Sequence, residues 1–134
     1  MLAALAVMGM LAACDNPERE RGRKLFAGEL PMPALLAGHT EQLPSYASRC
    51  VNCHAAKATA TTPTATFGTA LSAASLEQTK SRRGGPPSRF ELSTFCRLLR
   101  TGVDTTFIVI PQSMPLYPVS DVDCEALWIY LTHE

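Results

Sequence analysis

The pentapeptide C-x-x-C-H at residues 50–54 constrains this chain more than any other feature of its sequence. Cys50 and Cys53 are three residues apart, so on one helical turn both thiols point to the same side, and His54 follows directly. Two thiols in this arrangement can form thioethers with the two vinyl groups of a haem, while the imidazole binds the iron. The motif therefore predicts one covalently attached haem c.

Two other uses of a C-x-x-C pair remain open at this point. A zinc site requires a second pair of ligands, and a redox-active dithiol has no need of the following histidine. Neither alternative uses His54. The haem hypothesis gives all three side chains a role, and a haem would provide a chain of 134 residues with a large apolar core.

The N-terminal segment predicts export and lipid attachment. Residues 1–13 carry no charge and consist of Met, Leu, Ala, Val and Gly, as in the apolar region of an export signal. They are too few to span about 30 Å of hydrocarbon. The Leu-Ala-Ala-Cys at residues 11–14 resembles a bacterial lipobox, and this resemblance implies cleavage before Cys14 and lipid on that cysteine. Simple cleavage and an uncleaved helix are the alternatives.

The lipobox resemblance also implies a location and a domain division. In bacterial lipoproteins an Asp directly after the lipidated cysteine is associated with retention at the inner membrane, and Asp15 occupies that position. We therefore expect the periplasmic side of the bacterial inner membrane, with residues 14–21 as a tether and residues 22–134 as the folded domain. The segment lacks the Lys or Arg that normally begins a signal, so a start codon further upstream remains open.

Two of the five cysteines have no role in lipid or haem attachment. Cys96 and Cys124 both lie on predicted helices, and in an oxidising compartment they are candidates for one disulfide. The bridge would close a 29-residue loop and contribute about 3 kcal/mol in the chain-entropy model. Two buried free thiols are the alternative.

Helical periodicity and capping signals dominate the rest of the chain, and we find no βαβ pattern, heptad or repeat. The region before the motif, residues 30–43, is expected to be irregular with one helical turn at residues 34–37. Apolar residues at helical spacing mark the last two helices as core-facing, with Trp128 in the core. Helices are predicted from Pro17, after an Asn16 cap, to near Gly28; from Ser45 to the motif; from Thr69 to Lys80; after a capping box from Ser88 to Glu91, ending at Gly102; and from Ser120 onwards.

These features together resemble the class I c-type cytochromes. That family places C-x-x-C-H near the start of its domain, a Met-Pro pair in a later loop, and a closing helix with an apolar, aromatic face. Here Met114 lies 60 residues after His54 and precedes Pro115, and residues 123–131 are similar to the closing helix. The resemblance covers about residues 22–131. It implies a small all-α fold wrapped around one covalent haem, with an insertion before the haem motif.

The resemblance identifies His54 and Met114 as the two axial ligands of the haem iron. Prolines around Met114 restrict its loop, and a rigid loop suits a weak thioether ligand. A thioether opposite an imidazole favours ferrous iron and raises the reduction potential. Met32, which lies between two prolines, His39 and an open axial site remain alternatives.

Iron held on both sides has no vacant position for a small-molecule substrate, so the expected function is electron transfer and not catalysis. The protein would shuttle single electrons between a membrane dehydrogenase or quinol-oxidising complex and an oxidase or another cytochrome. Two alternatives stay open. One is a permanently bound haem subunit of a larger redox enzyme, and the other is a haem enzyme with an open axial site.

Charge is balanced overall but unevenly distributed. Twelve basic and twelve acidic residues give a net charge of zero, so no nucleic-acid partner is expected. Basic residues concentrate between residues 80 and 100, whereas residues 101–134 contain five acids and no Lys or Arg. This asymmetry can steer an acidic redox protein partner. Alternatively, Arg82 or Arg83 neutralises a haem propionate.

Overall fold

A computed structural model describes residues 16–56 and 68–133, and its regular secondary structure in that part of the chain is helical. The β-pairing found there consists of isolated bridges that build no sheet. The predicted all-α class is confirmed at this level. The elements are α1 (Pro17–Ala27), a 3₁₀ turn (Cys50–Asn52), α2 (Ala73–Glu77), α3 (Leu92–Thr101) and α4 (Asp121–Thr132).

The predicted signal at residues 1–13, the lipid site at Cys14 and Asp15 lie outside the described residues. Within residues 16–56 and 68–133, no helix has both the length and the apolar character needed to cross a bilayer.

Helix α1 begins and ends as predicted. The side chain of Asn16 accepts hydrogen bonds from the backbone N–H groups of Glu18 and Arg19 at 3.0 and 3.2 Å. These bonds satisfy two of the donors that every helix start leaves unpaired. Gly28 ends the helix in the left-handed region with φ of 76°, where glycine carries no steric penalty.

The core forms where α1 and α3 pack on α4. Leu25 and Phe26 of α1 are buried, and the ring of Phe26 lies 5.7 Å from that of Tyr130. On the α3 side, the ring centres of Phe95 and Trp128 are 5.4 Å apart, with the ring planes tilted by 52°. Trp128 is only partly buried, so it covers the edge of the core instead of filling its centre.

A pair of cysteines at disulfide distance also lies between α3 and α4. The Sγ atoms of Cys96 and Cys124 are 1.99 Å apart, and their Cα atoms are 5.8 Å apart. Both cysteines are buried. The structure thus places the two leftover cysteines at disulfide distance between the two helices.

The predicted helix from Ser45 is wrong, because the motif lies on a single 3₁₀ turn, Cys50–Asn52. Side chains satisfy the backbone here in place of a longer helix. The Ser48 hydroxyl is 3.4 Å from the Ser45 carbonyl, and the Asn52 amide donates to the Tyr46 carbonyl at 2.8 Å.

The helix predicted over residues 69–80 is shorter than expected. Ser72 caps α2, with its hydroxyl accepting from Ser75 N–H at 3.2 Å, so the helix begins at Ala73. Beyond its end, Lys80 pairs with Ser88 through two backbone hydrogen bonds of 3.0 Å. This pairing takes the chain out of the helical conformation.

The capping box predicted at Ser88 is also wrong, because the cap lies three residues further on. Glu91 is the N-cap of α3, and its backbone N–H donates to Thr94 Oγ1 at 2.9 Å. Since Ser88 is used in the bridge to Lys80, it is not available to cap the helix.

The helical turn predicted at residues 34–37 is replaced by extended pairing. Leu35 forms antiparallel bridges with both Gln42 and Leu116. Ala34 beside it is fully buried. The segment around Leu35, before the motif, is therefore folded against the loop that contains Met114.

Candidate haem-binding cavity

A cavity of about 800 Å³ lies among α3, α4 and the loops before and after them. Its walls are mainly apolar, as in most small-molecule and cofactor sites. Side chains from all parts of the described chain contribute, including Phe26, Leu76, Phe90, Leu98, Ile110 and Leu127. A closed polypeptide core would fill this space with side chains, so the fold holds room for a large apolar group.

The three motif side chains Cys50, Cys53 and His54 line this cavity, and so does Met114. These residues were predicted to serve one haem, and the fold brings them to one space. The rival ligands do not share it: Met32 packs against the core without lining the cavity, and His39 is exposed.

The imidazole of His54 is held in a defined orientation. Its Nδ1 lies 2.7 Å from the carbonyl oxygen of Thr69. Because a carbonyl can only accept, Nδ1 carries the proton, and the lone pair resides on Nε2. A hydrogen bond of this kind typically orients a metal-binding histidine.

Gly68 gives the imidazole the space for this orientation. An ideal Cβ at residue 68 would lie 2.4 Å from His54 Cε1 and 2.5 Å from Nδ1. A side chain at this position would displace the ring or the Thr69 carbonyl. Neither Gly68 nor Thr69 belongs to a sequence motif, and the sequence alone gave no signal for their role.

The environment of Cys50 does not favour a redox dithiol. Both motif cysteines are free, and burial raises the pKa of the Cys50 thiol to about 11. A reactive dithiol needs a thiolate and hence a lowered pKa. A partly buried, protonated thiol in an apolar wall suits conversion to a thioether, which carries no charge.

The zinc alternative gains no support in the described part of the chain. There, no group of three or more His, Cys, Asp or Glu side chains is placed to hold a metal ion. A structural zinc site commonly needs four such ligands.

The loop that carries Met114 is fixed by contacts to three other segments. Leu116 exchanges two backbone hydrogen bonds with Leu35, of 2.9 and 2.7 Å. The next residue, Tyr117, donates its N–H to the carbonyl of Leu99 in α3 at 2.7 Å, and its hydroxyl to the carbonyl of Ser48 at 2.7 Å. Sequence patterns gave no indication of these long-range contacts.

Arg82 and Arg83, predicted as propionate contacts, both line the cavity, together with Lys80. Arg82 is used mainly to hold the backbone. Its guanidinium lies 5.1 Å from the centre of the Phe90 ring, and burial lowers its pKa. The carbonyls that accept from it are those of Ser75, Leu76, Gln78, Lys80 and Ser88.

Arg83 pairs with a buried carboxylate. Its guanidinium is 3.3 Å from Asp104, whose side chain is fully buried. Burial disfavours the charge on Asp104, but hydrogen bonds from the N–H groups of Ile108 and Thr106 hold its pKa below the ordinary value. Asp104 thus holds the loop at residues 104–108 in place, and it also holds the guanidinium of Arg83 beside the cavity.

Several other cations of the basic stretch have partners within the protein. Arg89 pairs with Glu91 at 3.3 Å, and Arg100 pairs with Asp121 at 2.6 Å. Arg97 lies 4.5 Å from the centre of the Phe107 ring. Steering of an acidic partner by this stretch stays a prediction.

The predicted site residues therefore divide into three groups. Cys50, Cys53, His54, Met114 and the two arginines share one cavity, the Cys96–Cys124 pair links two helices, and Cys14 lies outside the described residues. No protein-family model, curated protein or solved structure matches this chain.

Proposed function

We propose that this protein carries one covalent haem c, ligated by His54 and Met114, and transfers single electrons. One observation carries the proposal: the complete C-x-x-C-H motif and a methionine 60 residues further along line the same apolar cavity. Cys50 and Cys53 are the attachment points, as their motif implies. Within the all-α class, the fold that we propose is that of a class I cytochrome c.

His54 and Met114 are the proposed iron ligands, and each contributes a different donor atom. His54 presents Nε2, since its Nδ1 donates to Thr69. Met114 supplies a soft, neutral donor that favours ferrous iron. When bound, the haem supplies reversible one-electron chemistry. If both His54 and Met114 held the iron, they would leave no coordination position for a substrate.

The apolar walls of the cavity also favour the ferrous state. They exclude water and lower the dielectric around the site, which disfavours the additional charge of the ferric state. Together with a thioether ligand, these walls favour a high reduction potential. The proposed role is therefore that of an electron carrier between a membrane dehydrogenase or quinol-oxidising complex and an oxidase or another cytochrome.

Visible spectroscopy of the mature protein tests the ligand set. The ferric wild type should show a sulfur-to-iron charge-transfer band, and Met114→Ala should lose it. Met32→Ala is the matched control, because Met32 also lies between prolines but does not line the cavity; it should keep the band. A colourless wild type, or high-spin iron that binds cyanide readily, would contradict the carrier role.

Lipid anchoring at the periplasmic face is a separate part of the proposal. Cys14→Ser should release a soluble haem protein into the periplasm, because lipid on Cys14 is the proposed anchor. Fractionation of cells that express the wild type or the variant measures how much of the protein is in the membrane and how much is in the periplasm. A variant still bound to membranes would contradict a lipid on Cys14 as the sole anchor.

A further inference from the structure

Two contacts tie the Met114 loop to segments that precede the haem motif. In the first, the N–H of Leu35 donates to the carbonyl of Leu116 at 2.9 Å, and the N–H of Leu116 donates to the carbonyl of Leu35 at 2.7 Å. The pair is an isolated antiparallel bridge. It fixes the backbone two residues after Met114 to the insertion before the motif.

The second contact joins the loop that follows Met114 to the segment that precedes the C-x-x-C-H motif. The hydroxyl of Tyr117 donates to the carbonyl of Ser48 at 2.7 Å. Tyr117 is 3% and Ser48 5% exposed, so water does not replace this bond easily. Tyr117 lies three residues after Met114, and Ser48 lies two residues before Cys50.

The prolines of the loop do not by themselves hold the Met114 loop to the segments before the motif. Pro111 and Pro115 restrict local backbone dihedrals, but they do not fix the loop relative to His54. A thioether is a weak ligand, and an external ligand can replace it if the loop moves away. The cost of that movement sets the affinity for the external ligand, because only the opened state binds it.

We infer that Leu35 and Tyr117 are positioning residues for Met114, and that their contacts keep its sulfur on the iron against competing ligands. This inference rests on the proposed function. It also assigns a role to the insertion before the motif, which the resemblance to class I cytochromes c leaves without one. Neither residue is proposed to touch the iron.

Cyanide titration of the ferric holoprotein tests the inference. Tyr117→Phe keeps the ring but removes the hydroxyl, and we expect it to bind cyanide about tenfold more tightly than the wild type, equivalent to about 1.4 kcal/mol. Tyr46→Phe is the matched control, since Tyr46 is 68% exposed; its cyanide affinity should not change. Both variants should retain the charge-transfer band without cyanide.

A second variant weakens the other contact by removing one of its two hydrogen bonds. Leu35→Pro has no N–H to donate to Leu116, and it should also tighten cyanide binding. Unchanged affinity in both variants would overturn the inference, as would equal tightening in Tyr46→Phe. Lower resistance to denaturant with unchanged cyanide affinity would show a purely structural role and would likewise overturn it.

The wild type provides a measurement that does not depend on any variant. Cyanide binding should speed hydrogen exchange at the amides of Leu116 and Tyr117, while the amide of Gly102, which ends α3, stays protected. Unchanged exchange at both loop amides would contradict the inference. Failure of the proposed function is distinct, because it would already appear as a missing charge-transfer band in the wild type.

Discussion

Gly22 of α1 lies directly against the backbone carbonyl of Ala126 in α4. An ideal Cβ at residue 22 would be 2.0 Å from that oxygen and 2.7 Å from the Cβ of Tyr130. The two helix backbones therefore approach at a point where only glycine fits. This close packing brings Phe26 and Leu127 to the wall of the cavity.

Gly22→Ala should destabilise the protein by about 2 kcal/mol, the difference between an overpacking cost at the upper end of its usual range and the gain in helix propensity. Alanine gains about 1 kcal/mol of intrinsic helix propensity over glycine, but overpacking costs about 1–3 kcal/mol or more. The clash wins here, because the nearest atoms belong to the backbone of Ala126 and cannot rotate away. Denaturant unfolding of the purified wild type and variant measures the difference.

Gly84→Ala is the control for that measurement. Gly84 has φ of 75° and no heavy atom within 4 Å of an added Cβ, so only backbone strain of about 1 kcal/mol is expected. A Gly22→Ala variant as stable as the wild type would show that the helices do not approach closely at this point.

Sequence patterns predicted the features that depend on neighbouring residues. The Asn16 cap, the end of α1 at Gly28 and the buried face of α4 follow from short-range hydrogen bonding and helical spacing. The C-x-x-C-H motif is recognised from five consecutive residues, and the structure places Cys50, Cys53 and His54 at one cavity; haem attachment at this motif stays a prediction. Met114 was predicted through the family resemblance, and the structure places it at the same cavity.

Features that depend on distant pairing could not be predicted. The bridge between Leu35 and Leu116 uses backbone atoms, which carry no sequence signature. The Ser88 capping box failed for the same reason, because Ser88 pairs with Lys80 and the cap moves to Glu91. In each case a long-range contact outweighed a local preference.

Asp104 should make stability depend on pH in the acid range. Hydrogen bonds from Ile108 and Thr106 hold its pKa below the ordinary value in the folded state. As the pH falls, Asp104 is therefore protonated in the unfolded chain at a higher pH than in the folded protein. The stabilisation is complete above the ordinary aspartate pKa of about 3.9, and it is lost as the pH falls through the lowered folded value.

Asp104→Asn should lose about 2 kcal/mol at neutral pH, because charge-assisted hydrogen bonds to a buried group are removed. The variant should also show a shallower loss of unfolding free energy on acidification. Asp121→Asn is the control, since that carboxylate is 93% exposed and its pair is worth at most about 1 kcal/mol. Parallel pH dependence in Asp104→Asn and the wild type would contradict the assignment.

Arg82→Lys should destabilise the protein even though the charge is kept. The guanidinium donates to five backbone carbonyls and stacks on Phe90, and a lysine ammonium cannot reproduce that planar fork. We expect a loss of about 2 kcal/mol in unfolding free energy. Arg89→Lys, at a 62% exposed side chain, should change it little; equal effects would argue against a specific role of Arg82.

Removing the Cys96–Cys124 bridge should lower stability through the unfolded state. The bridge closes a long loop across α3 and α4, and its loss in the double variant Cys96→Ala, Cys124→Ala should cost about 3 kcal/mol. Alkylation followed by intact mass measurement checks the bridge itself, since the wild type should gain no label at these residues until it is reduced. Labelling of Cys96 without reductant would instead identify two buried thiols. In that case the double variant should lose only the packing of two small side chains, and the two measurements together separate a covalent constraint from ordinary core contacts.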